Sequence, residues 1–308
     1  MLLYNKTKNF NIKDFLMIHL THNDLDALGS MLCIHTKYDI KNVYHTNYAD
    51  FEYQVDNVLK DPDKVLIISD LSFAERPELL KKLLKNKEFV YLIDRHSYPE
   101  GFWDFFSENN FKKHIDTSMC AAKACYNILN LDNYYLKNLI DVIDIYDRWV
   151  KESEKFETAQ ILNDWFWENS LSDIFEKILK NNYRLPDSFK TDAYNIEKRL
   201  EDNVNKAYEF KLVQKFGPVV FVLGTDVFNK ILLKEMSEEQ PVIINVLGNV
   251  FKVRILQDYF PEEILEKIRY EITGKITGHV CAYAYKFSGK TEDECRRVVE
   301  IILKYFNS

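Results

Sequence analysis

Several residues in the first half of the chain have the types and spacing to hold divalent cations. His22, Asp24 and Asp26 alternate within Thr21-His22-Asn23-Asp24-Leu25-Asp26. In an extended segment alternate residues point the same way, so His22 and Asp24 can face one metal ion and Asp26 a second. Asp70 follows Ser69 at the end of an apolar run and is placed to bridge the two. Asp94-Arg95-His96 closes another apolar run, and Asp141, Asp144 and Asp147 recur at helical spacing. Mixed oxygen and imidazole ligands suit Mn²⁺, with Mg²⁺, Co²⁺ or Fe²⁺ as alternatives. Two such ions about 3.5–4 Å apart generate a hydroxide nucleophile and stabilise both oxygens of a phosphoryl displacement. The competing reading is plainer: Asp and Asn at strand–helix junctions commonly cap helices.

These residues need a scaffold that brings strand ends together. Short apolar runs at 15–20, 42–46, 64–69 and 88–93 read as strands, the last two buried on both faces. Helical patterns fall between them at 27–38, 51–60 and 76–85, with further helices at 119–129 and 134–149. This rhythm implies an α/β fold with a mostly parallel sheet and helices on both faces. In such sheets ligands bind beyond the carboxyl ends of the strands, where the carboxylates and imidazoles collect. Residues 151–212 turn polar and helical, with Pro186 as the clear break, and read as a helical connector. From Phe216 strands return at 219–223, 242–246, 251–255 and near 280–287, with helices at 227–236, 261–269 and 292–306. The expected division is 1–150 for a metal-binding α/β domain, 151–212 for the connector and 213–308 for a smaller α/β domain.

Composition narrows the function. The 308 residues are 46% hydrophobic and 29% charged, ordinary for a soluble globular chain of this length. No apolar run approaches the roughly 20 residues of a membrane span, and the first residues lack a signal-peptide layout. Five cysteines form no C-x-x-C pair and read as free thiols in a reducing cytoplasm. The net charge of −7 resides in residues 1–212, leaving 213–308 neutral. That balance disfavours a long nucleic-acid track, which needs phosphate neutralisation. It suits carboxylates gathered around cations, which invert the local field for an anionic substrate.

The strings THNDLDALGS, IISDLS, LIDRHS and VIDIYDRW, in that order, resemble the four motifs of the DHH phosphoesterase superfamily. ITGKITGHVCAYAYKFSG is similar to the glycine- and histidine-containing motif of the associated DHHA1 domain, and the HNDLD form of motif I is closest to the oligoribonuclease (nano-RNase) branch. The resemblance implies a Mn²⁺-dependent phosphoesterase whose site lies in a cleft between a DHH domain and a DHHA1-like domain. It implies metal ligands at His22, Asp24, Asp26 and Asp70, with Asp147 matching the motif IV ligand and Asp144 as the fallback, otherwise a solvated helix face. Asp94 is expected in the catalytic set with Arg95 and His96, the competing reading being that it mainly orients its neighbours. Arg254, Gly278 and His279 are the implied substrate contacts.

The third motif departs from Asp-His-His. Here it reads Asp94-Arg95-His96, and arginine cannot ligate a cation. Three readings are open. His96 takes over as ligand. Or the second metal is weak or absent, and Arg95 supplies positive charge to the phosphate. Or the protein has lost catalysis and keeps only binding. The leading expectation is a cytoplasmic, metal-dependent phosphodiesterase of short oligonucleotides, holding one or two Mn²⁺, with Arg95 and His96 stabilising the transferring phosphoryl group. Hydrolysis of cyclic dinucleotides or nucleotide bisphosphates, and nucleotide binding by an eroded site, are the alternatives; a homodimer is compatible with each. His19 is expected as a packed sheet residue, and Trp165 and Trp167 as packing residues.

Overall fold

The computed structural model describes residues 17–47, 50–106, 109–224, 227–256, 259–274 and 281–306. Two compact units divide the chain, Met1–Tyr194 and Asn195–Ser308.

The first unit is built on five parallel strands: β1 (Met17–His22), β2 (Ile40–Thr46), β3 (Val65–Ser69), β4 (Phe89–Asp94) and β5 (Phe111–Ile115). Their order is β2-β1-β3-β4-β5, with every pair parallel. β3 is buried at every residue, as its unbroken Val-Leu-Ile-Ile run requires of a central strand. Alternate strand residues feed opposite layers. Ile18, Leu20, Leu66, Ile68, Val90 and Leu92 pack with α2 (Phe51–Lys60) and α3 (Pro77–Asn86). Another helical layer holds α1 (Leu25–Lys37), α4 (Ala121–Ile128) and α5 (Tyr134–Asp147), which pack against one another. β5 escaped the sequence pattern because Lys112, Lys113 and His114 interrupt its apolar residues. Lysines on an edge strand are how sheets discourage further pairing, and here Lys113 Nζ lies over the Trp103 ring at 4.2 Å.

The strand order places a reversal between β1 and β3. β1 connects outward to β2, whereas β3 leads the other way to β4 and β5. At such a switch point the loops after neighbouring strands diverge and leave a crevice at their carboxyl ends.

The polar stretch after residue 150 carries α6 (Phe156–Trp167), α7 (Leu171–Lys180) and α8 (Phe189–Glu209). α6 packs on α5, and α7 on α1. Trp165 is fully buried, whereas Trp167 is exposed, so only the first serves packing as expected.

The second unit carries a mixed sheet ordered β10-β9-β8-β7-β6. Its strands are β6 (Val213–Phe216), β7 (Val219–Leu223), β8 (Val242–Leu247), β9 (Val250–Ile255) and β10 (Ala282–Lys286). β7 and β8 are parallel, joined through α9 (Phe228–Glu235), and the other pairs are antiparallel. Gly248, at φ +58, opens the two-residue turn between β8 and β9, the position where such hairpins require glycine. α10 (Glu262–Thr273) and α11 (Thr291–Phe306) close the core through Leu265, Ile268, Val298 and Ile302. Among the described residues no helix is long and apolar enough to cross a membrane.

Candidate metal centre

Three adjacent strands deliver the polar residues. β1 ends in His22, and the backbone stays extended through Asp24 (φ −148, ψ −170), which caps α1 by accepting Ala27 N–H at 2.9 Å. The other Asp24 oxygen lies 2.6 Å from His22 Nδ1. An ionised carboxylate only accepts, so Nδ1–H donates and the ring lone pair stands on Nε2. β3 delivers Asp70 in the left-handed region (φ +54), its N–H bonded to Ile93 O at 3.0 Å. Asp tolerates that conformation better than most residues, and such strain concentrates at functional sites. β4 delivers Asp94, fully buried. One oxygen accepts Arg95 N–H (2.9 Å) and His96 Nδ1–H (2.7 Å), and the other accepts the Tyr98 hydroxyl (2.7 Å). Asp94 thus orients its neighbours. Beneath the crevice, Ser69 Oγ meets His19 Nε2 at 2.8 Å and Thr21 Oγ1 at 2.9 Å, tying β1 to β3.

Two groups of side chains have mutual spacing suited to one cation each: His22, Asp24 and Asp70, and then Asp70, Asp94 and His96. Asp70 belongs to both. His22 Nδ1 and Asp70 Oδ2 are 3.9 Å apart.

Asp26 and Asp147 lie outside these groups. The extended alternation ends at Asp24, because α1 begins at Leu25 and not near Ala27. Asp26 therefore sits in the first helical turn and points into the protein, where its oxygens accept Ala121 N–H (2.8 Å) and Ala122 N–H (2.7 Å). These are orphan donors at the start of α4, and a carboxylate there also complements the helix dipole. Asp147 faces Arg95: Nε is 2.7 Å from Oδ2, and Nη2 is 3.2 Å from Oδ1.

Asp144 corrects the expectation of a solvated helix face. It is buried and saturated, accepting Cys120 N–H (2.8 Å) and the ammonium of Lys123 (2.9 Å), with Arg148 Nε at 3.1 Å. Arg254 lies in the second unit on β9, its Nη1 donating to Val253 O at 3.1 Å. Gly278 and His279 lie outside the described residues.

The charges conflict. Burial and then the charges of Asp24, Asp26, Asp147 and Asp94 push the Asp70 carboxyl well above its ordinary range. Burial, then Asp24, raises Asp26 to about 6 against the pull of the Ala121 and Ala122 amides. Burial and Asp26 raise Asp147, and Arg95 opposes them. Burial alone would lower His22, but the hydrogen bond and charge of Asp24 raise it. Crowded carboxylates of this kind are relieved by a bound cation, so the donor set fits a divalent metal.

Neither a family model nor a curated protein sequence matches the chain. Solved structures do. The DHH domain of PF0399, a member of the s1p family of ribosomal proteins, superposes with a TM-score of 0.67 at 13% identity, covering 94% of this chain and 87% of that one. The chain has a DHH-domain fold. Exonuclease RecJ bound to manganese gives a TM-score of 0.62 at 12% identity, covering 94% of this chain and 91% of that one. PggH of Vibrio cholerae, a pGpG-specific phosphodiesterase, gives 0.57 at 13%, covering 93% and 99%. In this DHH fold the residues that sequence reasoning missed are Tyr98, which holds Asp94, and the 120–122 backbone, which holds Asp26 and Asp144. Tyr98 follows His96 by two residues and was visible as a polar aromatic beside the motif. The 120–122 amides had no signal, because backbone donors have no residue type.

Proposed function

We propose that this chain is a divalent-metal-dependent phosphodiesterase acting on short oligonucleotides, with Mn²⁺ as the preferred ion and Mg²⁺ or Co²⁺ as alternatives. The observation that carries the reading is the ligand group His22, Asp24 and Asp70, gathered at the switch point between β1 and β3. The DHH-domain fold shared with RecJ and PggH supports the phosphoester chemistry. The acidic balance of the chain favours a small substrate over a long strand.

His22, Asp24 and Asp70 would hold the cation, which when bound lowers the pKa of a water and polarises a phosphoryl oxygen. Asp24 fixes the His22 ring through Nδ1, which sets the tautomer that carries its lone pair on Nε2, the form in which imidazole ligates a metal. Arg95 contributes a permanent positive charge toward the phosphate, since guanidinium stays protonated. His96, held through Nδ1 by Asp94, is oriented to meet a phosphoryl or leaving-group oxygen through Nε2. Arg254, Gly278 and His279 are the proposed contacts of the second unit with the nucleotide.

The test is Mn²⁺-dependent cleavage of 5′-labelled di- to pentanucleotides by wild type and Asp70→Asn. Asparagine keeps the left-handed backbone accessible. Wild-type cleavage should fall by at least about 100-fold in the variant, judged against the 10–100-fold losses seen when only the supports of a ligand are removed. Equal activity in the two proteins would refute the site.

A further inference from the structure

Arg95 and Asp147 form a closed pair. Nε lies 2.7 Å from one carboxylate oxygen and Nη2 lies 3.2 Å from the other, and Nη2 also lies 3.4 Å from the Asp147 carbonyl. Both side chains are largely buried, at 15% and 19% exposure. The guanidinium donates to Asp147 through Nη2, to the carboxylate and to the carbonyl, and Nε approaches the other carboxylate oxygen as an ion-pair contact without hydrogen-bond geometry. It acts electrostatically on Asp70 and Asp26 as well as on Asp147. A cation shared by Asp70 and Asp147 would have to enter beside a permanent positive charge and break the ion pair that occupies Asp147.

We propose that Arg95, locked by Asp147, is a built-in substitute for a second metal ion. The chain then binds one divalent cation, at His22, Asp24 and Asp70, and presents the guanidinium as the second positive charge for an anionic phosphoester. Asp94 and His96 do not form a second cation site, because Asp94 is committed to three donors: Arg95 N–H, His96 Nδ1–H and the Tyr98 hydroxyl. Asp147 is on this view a positioning residue for Arg95 and not a ligand. The inference rests on the metal-dependent reading above and deepens it by setting the ion count.

The experiment counts Mn²⁺ on the purified full-length chain by calorimetric titration and records the Mn²⁺ electron paramagnetic resonance spectrum. Wild type should bind one ion per chain with the six-line spectrum of an isolated Mn²⁺. Arg95→His, checked for folding by thermal melting, should bind two and show the broadened spectrum of an exchange-coupled pair. Asp147→Asn should still bind one, which keeps the test decisive if Arg95→His fails to fold. Two coupled ions in wild type would overturn the substitution while leaving the metal-dependent reading intact. One ion in a folded Arg95→His, or loss of the ion in Asp147→Asn, would also overturn it. No ion in wild type would sink both readings.

Discussion

Gly29 lies one turn beyond Asp26 on α1, where that helix crosses α4. Replacing it with alanine sets two effects against each other. Alanine in a helix interior is better than glycine by about 1 kcal/mol. The added Cβ, however, would lie 2.7 Å from Ala122 Cβ, 2.9 Å from Ile143 Cδ1 and 3.0 Å from Ile140 Cδ1. The isoleucine tips can rotate away. Ala122 Cβ cannot move without its backbone, and that backbone N–H is bonded to Asp26 at 2.7 Å. Relief to ordinary contact therefore pulls α4 off the carboxylate that caps it. Overpacking costs about 1–3 kcal/mol, and weakening the bonds to a buried carboxylate adds about 1–2 kcal/mol. The net expectation for Gly29→Ala is destabilisation by about 1–4 kcal/mol, or a melting temperature lowered by roughly 2–16 °C for a unit of this size. Thermal and urea unfolding followed by circular dichroism measure it. A variant as stable as wild type, or more stable, would show that helix propensity outweighs the contact and would refute the close α1–α4 crossing.

Tyr98→Phe removes the hydroxyl that satisfies one oxygen of buried Asp94. Stability should fall by about 1–3 kcal/mol, and turnover by about 10–100-fold with little change in KM, as expected when the support of an active group is lost. Unaltered unfolding and kinetics would make that hydroxyl idle. His19 is wholly buried, and burial first, then the charges of His45 and His35, holds its pKa well below 6.5. The unfolded chain therefore takes a proton that the folded chain refuses. This contribution is complete above about pH 6.5 and is lost as the pH falls through that value, at up to about 1.4 kcal/mol per pH unit. His19→Gln should flatten the acid limb of the stability–pH curve, and parallel curves for the two proteins would contradict the assignment.

The strand and helix rhythm of both units was legible because buried parallel strands leave unbroken apolar runs and amphipathic helices leave periodic ones. The polar strand ends after β1, β3 and β4 were legible for the same reason, since each interrupts such a run. β5 and β6 were missed because edge strands carry exposed residues, such as Lys113 and Lys215, that break the pattern.

Within the site, local sequence already determined which residues gather. His22, Asp24, Asp70, Asp94 and His96 each sit at or just beyond a strand end, and strand order does the rest. Only tertiary structure decided what each does. Asp26 and Asp144 turn to amides at the start of α4, and Asp147 turns to Arg95. These choices depend on contacts that reach across as many as 96 residues, and a carboxylate looks the same in sequence whether it will meet a metal, a backbone N–H or a guanidinium. The partner is set by which donor the fold brings within about 3 Å, and spacing along the chain carries no record of that.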